Sequence, residues 1–507
     1  MTLEGRLDFE LAWERVKEDL RKVCFCDNPY IVNIAEANRT KWLDYIKSTF
    51  KNPTIPPVVD IPKKNWHIRP ASMLTVQDQV IYSALLLDGI EEIKNALEWS
   101  SNKKRFSYVL KRNQKTKYWL EYGWYWKNFN TKSIELAHEY DYVLITDIAG
   151  YFENINIKRL ISDLDSLGFE KDAKTVLNDY LNAWAPGKQK GIPQGYTTSS
   201  ILAEVYLDSI DKNLEREGIE HTRYVDDMRI FCESHSECVN ALHLLTRSLR
   251  EKELNIQTAK SDIHNKDEAI NIIEGITPII DGIDQKIKNK LKSIPEYQIT
   301  NELIRKEEGL NLERTFKEYI IDQKSQDFNK TLFHYLINKI KTPMAAYYCL
   351  NLLFERPEET KYIFDYFSRL HYENFNMVNV AEQLAKEILL ENETQAISEY
   401  QKYLFIKWLY TTKIKTDTII SAVRKVINGP ISIPATLDYS IAYLGENGDV
   451  SEFDFLSSKY STFSDVCKAT AICGLQQMER SRRNTLYGRA RGNGDLLEFA
   501  VNYAKSI

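Results

Sequence analysis

No run of about twenty apolar residues occurs anywhere in the chain, so a membrane-spanning helix is not expected. The opening stretch MTLEGRLDFELAWERVKEDL lacks a basic start followed by an apolar core, so no secretory signal is expected either. CxxC pairs are missing. The seven cysteines stand at 24, 26, 232, 238, 349, 467 and 473, an odd number whose spacing indicates neither a disulfide framework nor a zinc site. An excess of basic charge is missing too. Lys plus Arg number 67 against 72 Asp plus Glu, a net charge of −5, which excludes a general basic coat for nucleic acid but not a local basic groove. These absences point to a soluble, cytoplasmic protein. What is present is 43% hydrophobic and 27% charged residues over 507 positions, enough apolar content for packed cores and for two to three domains.

The two halves read differently. Residues 1–290 mix strand-like runs with helices. YVLITDI (142–148) is a short apolar, β-branched run of the kind found in buried strands. TRYVDDMRIF (222–231) reads as two short strands around an acidic turn. In the stretch 198–217, Leu202, Val205 and Ile210 recur at near-helical spacing. Residues 291–507 read as successive amphipathic helices with short polar breaks, and Pro343, Pro357 and Pro430 stand near segment ends where helices tolerate proline. That pattern fits a helical bundle or an α-solenoid, with no strict repeat to choose between them.

Three motifs in the first half belong to one chemistry. ITDIAGYFENI places Asp147 where a strand enters a loop. KGIPQGYTTSS makes a bent loop at Gly191, Pro193 and Gly195 before the 198–217 segment. YVDD sets Asp226 and Asp227 in a hairpin context. Phosphoryl transfer from a nucleotide uses divalent ions bridging the attacking oxygen and the phosphates, and Mg²⁺ takes hard oxygen ligands. A carboxylate on one strand and a pair on a neighbouring turn supply that set if the strands pair. Each motif alone has an ordinary reading as a turn, a strand end or a loop. Their order and local contexts together make coincidence improbable.

At these residues the sequence resembles the reverse transcriptases, with Asp147, GIPQG and YVDD at the first three palm motifs. The resemblance implies an α+β right-hand polymerase, fingers and palm, using two Mg²⁺ (or Mn²⁺) ions. It makes Asp147, Asp226 and Asp227 the catalytic set and adds Ile148 to the metal ligands. It makes Lys64 and Arg69, in IPKKNWHIRP (61–70), contacts for the triphosphate of an incoming dNTP. Phe152 falls at the position that excludes a 2′-hydroxyl. Gln194 is expected to touch the nucleotide, and Val225 to pack near the primer end. In ELNIQTAKSDI (253–263), Lys260 falls where a general acid for pyrophosphate is expected. NIIEGI (271–276) is similar to a primer-grip hairpin.

A finger–palm unit followed by about two hundred helical residues, with no maturase domain, Cys-rich nuclease or ribonuclease H carboxylate set evident, resembles the abortive-infection (Abi) polymerases of bacterial phage defence. That family implies an all-α HEAT-like domain in place of a thumb over 291–507 and template-independent DNA synthesis primed by a tyrosine hydroxyl. It also implies a single-stranded DNA product attached to the protein and a small homo-oligomer. Tyr30, Tyr45 and Tyr487 are candidate primers among 30 tyrosines. The alternatives are an RNA-templated, retron-like reverse transcriptase and a non-catalytic nucleic-acid-binding scaffold. The stretch 101–119 carries seven bases (Lys103, Lys104, Arg105, Lys111, Arg112, Lys115 and Lys117) among aromatic rings and no acids, which fits a phosphate-tracking surface. A second cluster at 479–492 carries five arginines.

Overall fold

A computed structural model describes residues 2–20, 28–123, 125–185, 187, 189–292, 301–322, 328–390, 396–431 and 433–507. The chain forms two compact units. The first groups Met1–Asp27, Thr40–Val58 and Pro70–Gly275; the second groups Asn28–Arg39, Val59–Arg69 and Ile276–Ile507. The change thus falls at Gly275/Ile276, whereas the pattern of residue types placed it at 290/291. Cys24 and Cys26 lie outside the described residues, and the five described cysteines are buried and free. Among the described residues no helix is long and apolar enough to cross a membrane.

The first unit is built on a four-stranded antiparallel sheet of order β4-β5-β3-β6, with β3 Tyr142–Thr146, β4 Glu220–Tyr224, β5 Asp227–Cys232 and β6 Asp262–Asn265. Both expected strand regions are present, and the acidic turn joins β4 to β5. In β3, adjacent Val143 and Leu144 are both fully buried, because helices cover both faces of the sheet. On one face Val143 and Phe231, opposite each other in register, join Leu136, Ala137 and Ala269 from helices Tyr125–Glu139 and Lys266–Glu274. Helix His235–Glu251 packs on β3 and β5 as well. The stretch 198–217 is helical, as Thr197–Arg216.

Residues 271–276 do not form a hairpin. Asn265, immediately after β6, builds a capping box with Glu268 and starts the helix Lys266–Glu274, which Gly275 ends at φ 54°. The local cap favours a helix here over the expected strand pair.

The β1 (Val58–Pro62) and β2 (Ile68–Ser72) strands pair as a separate hairpin. Its tip, with Asn65 and Trp66 at φ 59° and 61°, belongs to the second unit.

The second unit is helical through 276–507 in its described parts. Helix Lys330–Lys339 packs on Thr360–Tyr372, that helix on Glu399–Thr412, and the series continues through Pro434–Asn447, Asp465–Gly474 and Asp495–Ser506. Each helix of this row packs against the one that follows in the row, the arrangement of a solenoid rather than of a bundle. The last packs on Ile31–Ala37. Phe333, Phe367, Phe405, Leu409, Ile441 and Leu444 are buried along the row. Helices Pro434–Asn447 and Asp465–Gly474 approach tightly at two glycines: a Cβ on Gly445 would lie 3.0 Å from the Gly474 backbone. Pro343 and Pro357 open single 3₁₀ turns, and Pro430 lies between two helices.

Candidate active site

Strand pairing brings two of the three aspartates together. Thr146 is paired with Met228, so the same register one step further sets Asp147 opposite Asp227, Cα atoms roughly 5 Å apart in such ladders. Tyr224 pairs with Asp227, leaving Val225 and Asp226 as a two-residue turn. Asp147, Asp226 and Asp227 therefore gather at one end of the central strands.

Their electrostatics reflect that crowding. Burial, then the charges of Asp147 and Asp227, push the Asp226 carboxyl up to about 6. Burial and the Asp147 charge raise Asp227. Asp147 is 6% exposed, and its Oδ1 is buried without a hydrogen-bond partner. Its Oδ2 accepts a hydrogen bond from the Lys260 ammonium, which stands on the short 258–260 turn before β6. Burial opposes the Lys260 charge, but the bond to Asp147 and the three carboxylates outweigh it and raise its pKa.

The Asp147 backbone is fixed from the Lys260 side. Gln257 N–H donates to the Asp147 carbonyl and Ala149 N–H to the Asn255 carbonyl, both at 2.8 Å. Ile148 and Ile256 are then the non-hydrogen-bonded pair of that bridge, so the bridge does not consume the Ile148 carbonyl.

The donor set suits hard divalent cations: aspartate oxygens, an orphaned buried Oδ1, a main-chain carbonyl not used by its ladder, and unbalanced negative charge. Among the described residues no three His, Cys, Asp or Glu side chains close up as a finished metal cage. The aspartates approach without closing, with an ammonium on one of them. The residues nonetheless fit the ions in kind and in charge.

The GIPQG loop is tied to the segment after Asp147. Ile192 N–H donates to the Phe152 carbonyl at 3.0 Å and Gly191 N–H to the Ile155 carbonyl at 2.9 Å. Gly191 and Gly195 hold φ of 89° and 97°, a conformation glycine adopts without strain. Tyr196 anchors the loop's end, its hydroxyl accepting from Leu74 N–H at 2.9 Å and donating to the Ser72 carbonyl at 3.1 Å. Gln194 is half-buried in the loop's turn. Phe152, on the single turn Tyr151–Asn154, is buried with its ring 5.5 Å from that of Tyr151.

Other expected residues lie on other elements. Lys64 and Arg69 lie on the hairpin tip that belongs to the second unit. Tyr30 is buried there, its hydroxyl 2.5 Å from Glu446 Oε1, and burial raises its pKa well above the ordinary tyrosine range. Tyr487 stands on helix Arg480–Ala490 with its ring buried. Tyr45, in the first unit, is half-buried.

The basic stretch 101–119 is only in part a charged surface. Arg105 is fully buried and donates to the carbonyls of Ser107 and Leu97. Lys104 pairs with Glu215 and Glu220, and Lys117 with Glu18. Lys103, Arg112 and Lys115 remain exposed. In the second cluster Arg482 pairs with Asp454, and Arg480, Arg489 and Arg491 are exposed.

A charge network beneath the acidic turn is not among the expected site residues. Arg223 donates to Asp211 through Nε at 2.9 Å and Nη2 at 2.5 Å, and to Glu204 Oε2 through Nη1 at 2.7 Å. All three side chains are about 1% exposed. A signal existed: Glu204 and Asp211, seven residues apart, interrupt the apolar face of the 197–216 helix, and charged residues are rarely buried unless paired.

Residues 61–294 match the family model described as "Reverse transcriptase (RNA-dependent DNA polymerase)". That stretch, less than half of the chain, is similar to reverse transcriptase domains, and it contains all three aspartates, the GIPQG loop and Lys260. No curated protein matches the chain. Similar solved structures include a telomerase of Candida albicans in complex with a TWJ fragment of telomeric RNA, 11% identical, TM-score 0.31, covering 78% of this chain and 70% of that one. The apo telomerase of Candida tropicalis is likewise 11% identical, with a TM-score of 0.31 and coverage of 84% and 72%. At such values the functional reading rests on the family match and on the site, not on these neighbours.

Proposed function

We propose that this reverse transcriptase domain is a DNA polymerase that adds dNTPs without a template, starting from a tyrosine hydroxyl, and that it serves bacterial phage defence by abortive infection. The observation that carries the chemistry is the convergence of Asp147, Asp226 and Asp227, with a buried oxygen left unpaired and carboxyl groups held above their ordinary range. Three acids crowded around one ammonium are unstable company unless cations complete them. The row of stacked helices in the second unit supports the Abi assignment, as a HEAT-like domain over 291–507 following a finger–palm unit over 1–290.

In this reading Asp147, Asp226, Asp227 and the Ile148 carbonyl hold two Mg²⁺ or Mn²⁺ ions, which when bound supply positive charge to the transferring phosphoryl group. A primer hydroxyl attacks the α-phosphorus of a dNTP and gives up its proton to solvent. The new P–O bond forms, the bond to the bridging oxygen of the β-phosphate breaks, and pyrophosphate leaves. Lys260 donates a proton to the departing pyrophosphate. Lys64 and Arg69 clamp the triphosphate, Gln194 contacts the nucleotide, and Phe152 rejects a 2′-hydroxyl. The product is single-stranded DNA bound covalently to the enzyme, which works as a small homo-oligomer. Of the three candidate primers Tyr45 reaches the surface most, which favours it over Tyr30 and Tyr487.

The test uses purified full-length protein with Mg²⁺ and labelled dNTPs, without template or primer, run on denaturing gels before and after protease. Long label that shifts with protease and is absent from Asp226→Ala/Asp227→Ala is the expected result. Incorporation only when RNA template and primer are supplied would replace this reading with a templated reverse transcriptase.

A further inference from the structure

We infer that Ser107 and Arg223 form a clamp on the backbone of Val225 that fixes the acidic turn, and with it the Asp226 and Asp227 carboxylates, in working geometry. Its kinetic consequence rests on the polymerase reading above; its structural consequence does not.

The acidic turn carries a misfit. A two-residue turn between twisted strands calls for left-handed backbone and is usually made by Asn or Gly. Here the first turn residue is Val225 at φ 58°, a conformation that β-branched side chains rarely adopt. Such a turn does not hold itself; its surroundings must hold it.

Both polar groups of the Val225 backbone are held by side chains. The N–H donates to Ser107 Oγ at 2.8 Å, and the carbonyl accepts from Arg223 Nη1 at 3.0 Å. Neither holder is free to swing. The Ser107 hydroxyl donates to Glu204 Oε1 at 2.5 Å, while Arg223 bonds Glu204 Oε2 and Asp211. Ser107 is itself delivered by the main chain. Phe106 N–H donates to the Arg223 carbonyl at 2.9 Å and Arg223 N–H to the Lys104 carbonyl at 2.6 Å, laying residues 104–106 along β4.

One carboxylate, Glu204, therefore braces both jaws of the clamp. It projects from the helix that begins directly after the GIPQG loop. A shift of that helix moves the Ser107 hydroxyl and the Arg223 guanidinium together, and through them the Val225 backbone. Ser107 and Arg223 touch no reacting atom in this scheme; they are positioning residues.

Ser107→Ala removes one jaw at little cost in volume. The expected outcome is a kcat lower by roughly ten- to a hundredfold with the dNTP KM within about twofold, because misplaced groups lose turnover rather than ground-state binding. Hydrogen–deuterium exchange across 220–228 should quicken by roughly tenfold as the turn opens more often. Val225→Gly supplies a residue that adopts the turn without strain, so in that background Ser107→Ala should cost no more than about threefold in kcat. Unchanged exchange in Ser107→Ala overturns the clamp, and so does an undiminished kcat loss in the Val225→Gly background. If the wild-type protein incorporates no nucleotide under any condition, the polymerase reading fails, and the exchange measurement still decides the clamp.

Discussion

Two acidic clusters meet the β4–β5 hairpin, one on its turn and one reaching Arg223 from the 197–216 helix, and they behave in opposite ways. Below the turn, burial by itself would raise the Asp211 carboxyl, but Arg223 and His221 outweigh it and hold it well below the ordinary range. On the turn, burial and like charges raise Asp226 and Asp227. The lower cluster is fully buried, while Asp226 and Asp227 are half-buried. What separates them is the partner: a guanidinium bonded on three nitrogens below, and above a lysine bonded to Asp147, with Arg229 acting on Asp227 without outweighing burial and like charge. The lower cluster is a completed structure. The upper one is left incomplete, and incompleteness of this kind marks where the chain expects something from outside.

The sharpest way to break this comparison is to neutralise the upper cluster. Asp227→Asn or Asp226→Asn should lower nucleotide incorporation by at least about a thousandfold, as loss of a metal-bound transition-state contact does. The same changes should not destabilise the fold. In EDTA at pH 8, Asp226→Asn should be more stable than wild type by on the order of 1–2 kcal/mol, since a folded-state carboxyl raised to about 6 loses stability as pH climbs from 3.8 through 6. Urea unfolding of the two proteins in chelator checks it. A destabilised Asp226→Asn would mean that the upper cluster, too, is structural.

Neutralising the lower cluster should do the reverse. Arg223→Leu leaves Asp211 and Glu204 buried without their main cation and should cost about 3–5 kcal/mol of stability. Denaturant midpoints measure it directly. Nucleotide incorporation falls as well, but through loss of folded protein and of the turn's support, so the two clusters separate by which quantity moves first.

These contrasts explain how much of the molecule was legible in its residues. The strands around Asp147 and YVDD, the 197–216 helix and the helical second half follow from periodicity, because each local pattern agrees with its burial. The stacking of alternate helices in the second unit was not legible, since it depends on contacts between segments about thirty residues apart that share no repeated sequence. Nor was the fate of the basic stretch. Arg105 and Lys111 look alike as letters; only the approach of Glu204 and of the Leu97 carbonyl makes one of them core. Lys64 and Arg69 show a further limit, for a motif can announce a residue type without fixing which compact unit it joins.

A smaller effect sharpens the chemical side. Phe152 is buried against Tyr151, and its carbonyl receives the GIPQG loop. Phe152→Ala should therefore relax the preference for dNTPs over rNTPs by roughly ten- to a hundredfold in the ratio of kcat/KM, the worth of a few contacts in a pocket. An unchanged ratio with an intact fold would make Phe152 a core residue only.

The second unit holds a control for the two clusters. Asp438, on helix Pro434–Asn447, is as deeply buried as Asp211, yet its carboxyl is pushed up to about 6 by burial, which neutral partners among Thr470, Cys467 and Asn28 offset only in part. Thr470 Oγ1 lies 3.0 Å from its Oδ1, and Asn28 Nδ2 reaches Thr470 at 2.6 Å. No carboxylate is among the groups that raise it, so this is crowding by burial alone. Because the folded pKa is raised, stability should be full below about pH 4 and fall as pH rises to about 6, by on the order of 2–3 kcal/mol. Asp438→Asn keeps an oxygen for Thr470 and cannot ionise, so it should flatten that segment of the stability–pH curve while leaving nucleotide incorporation within about twofold of wild type. Asp226→Asn should flatten the same segment and abolish incorporation. Effects of the same sign on the curve with opposite effects on activity would show that a raised carboxyl by itself marks nothing, and that the crowding of Asp226 by Asp147 and Asp227 is the feature that carries function.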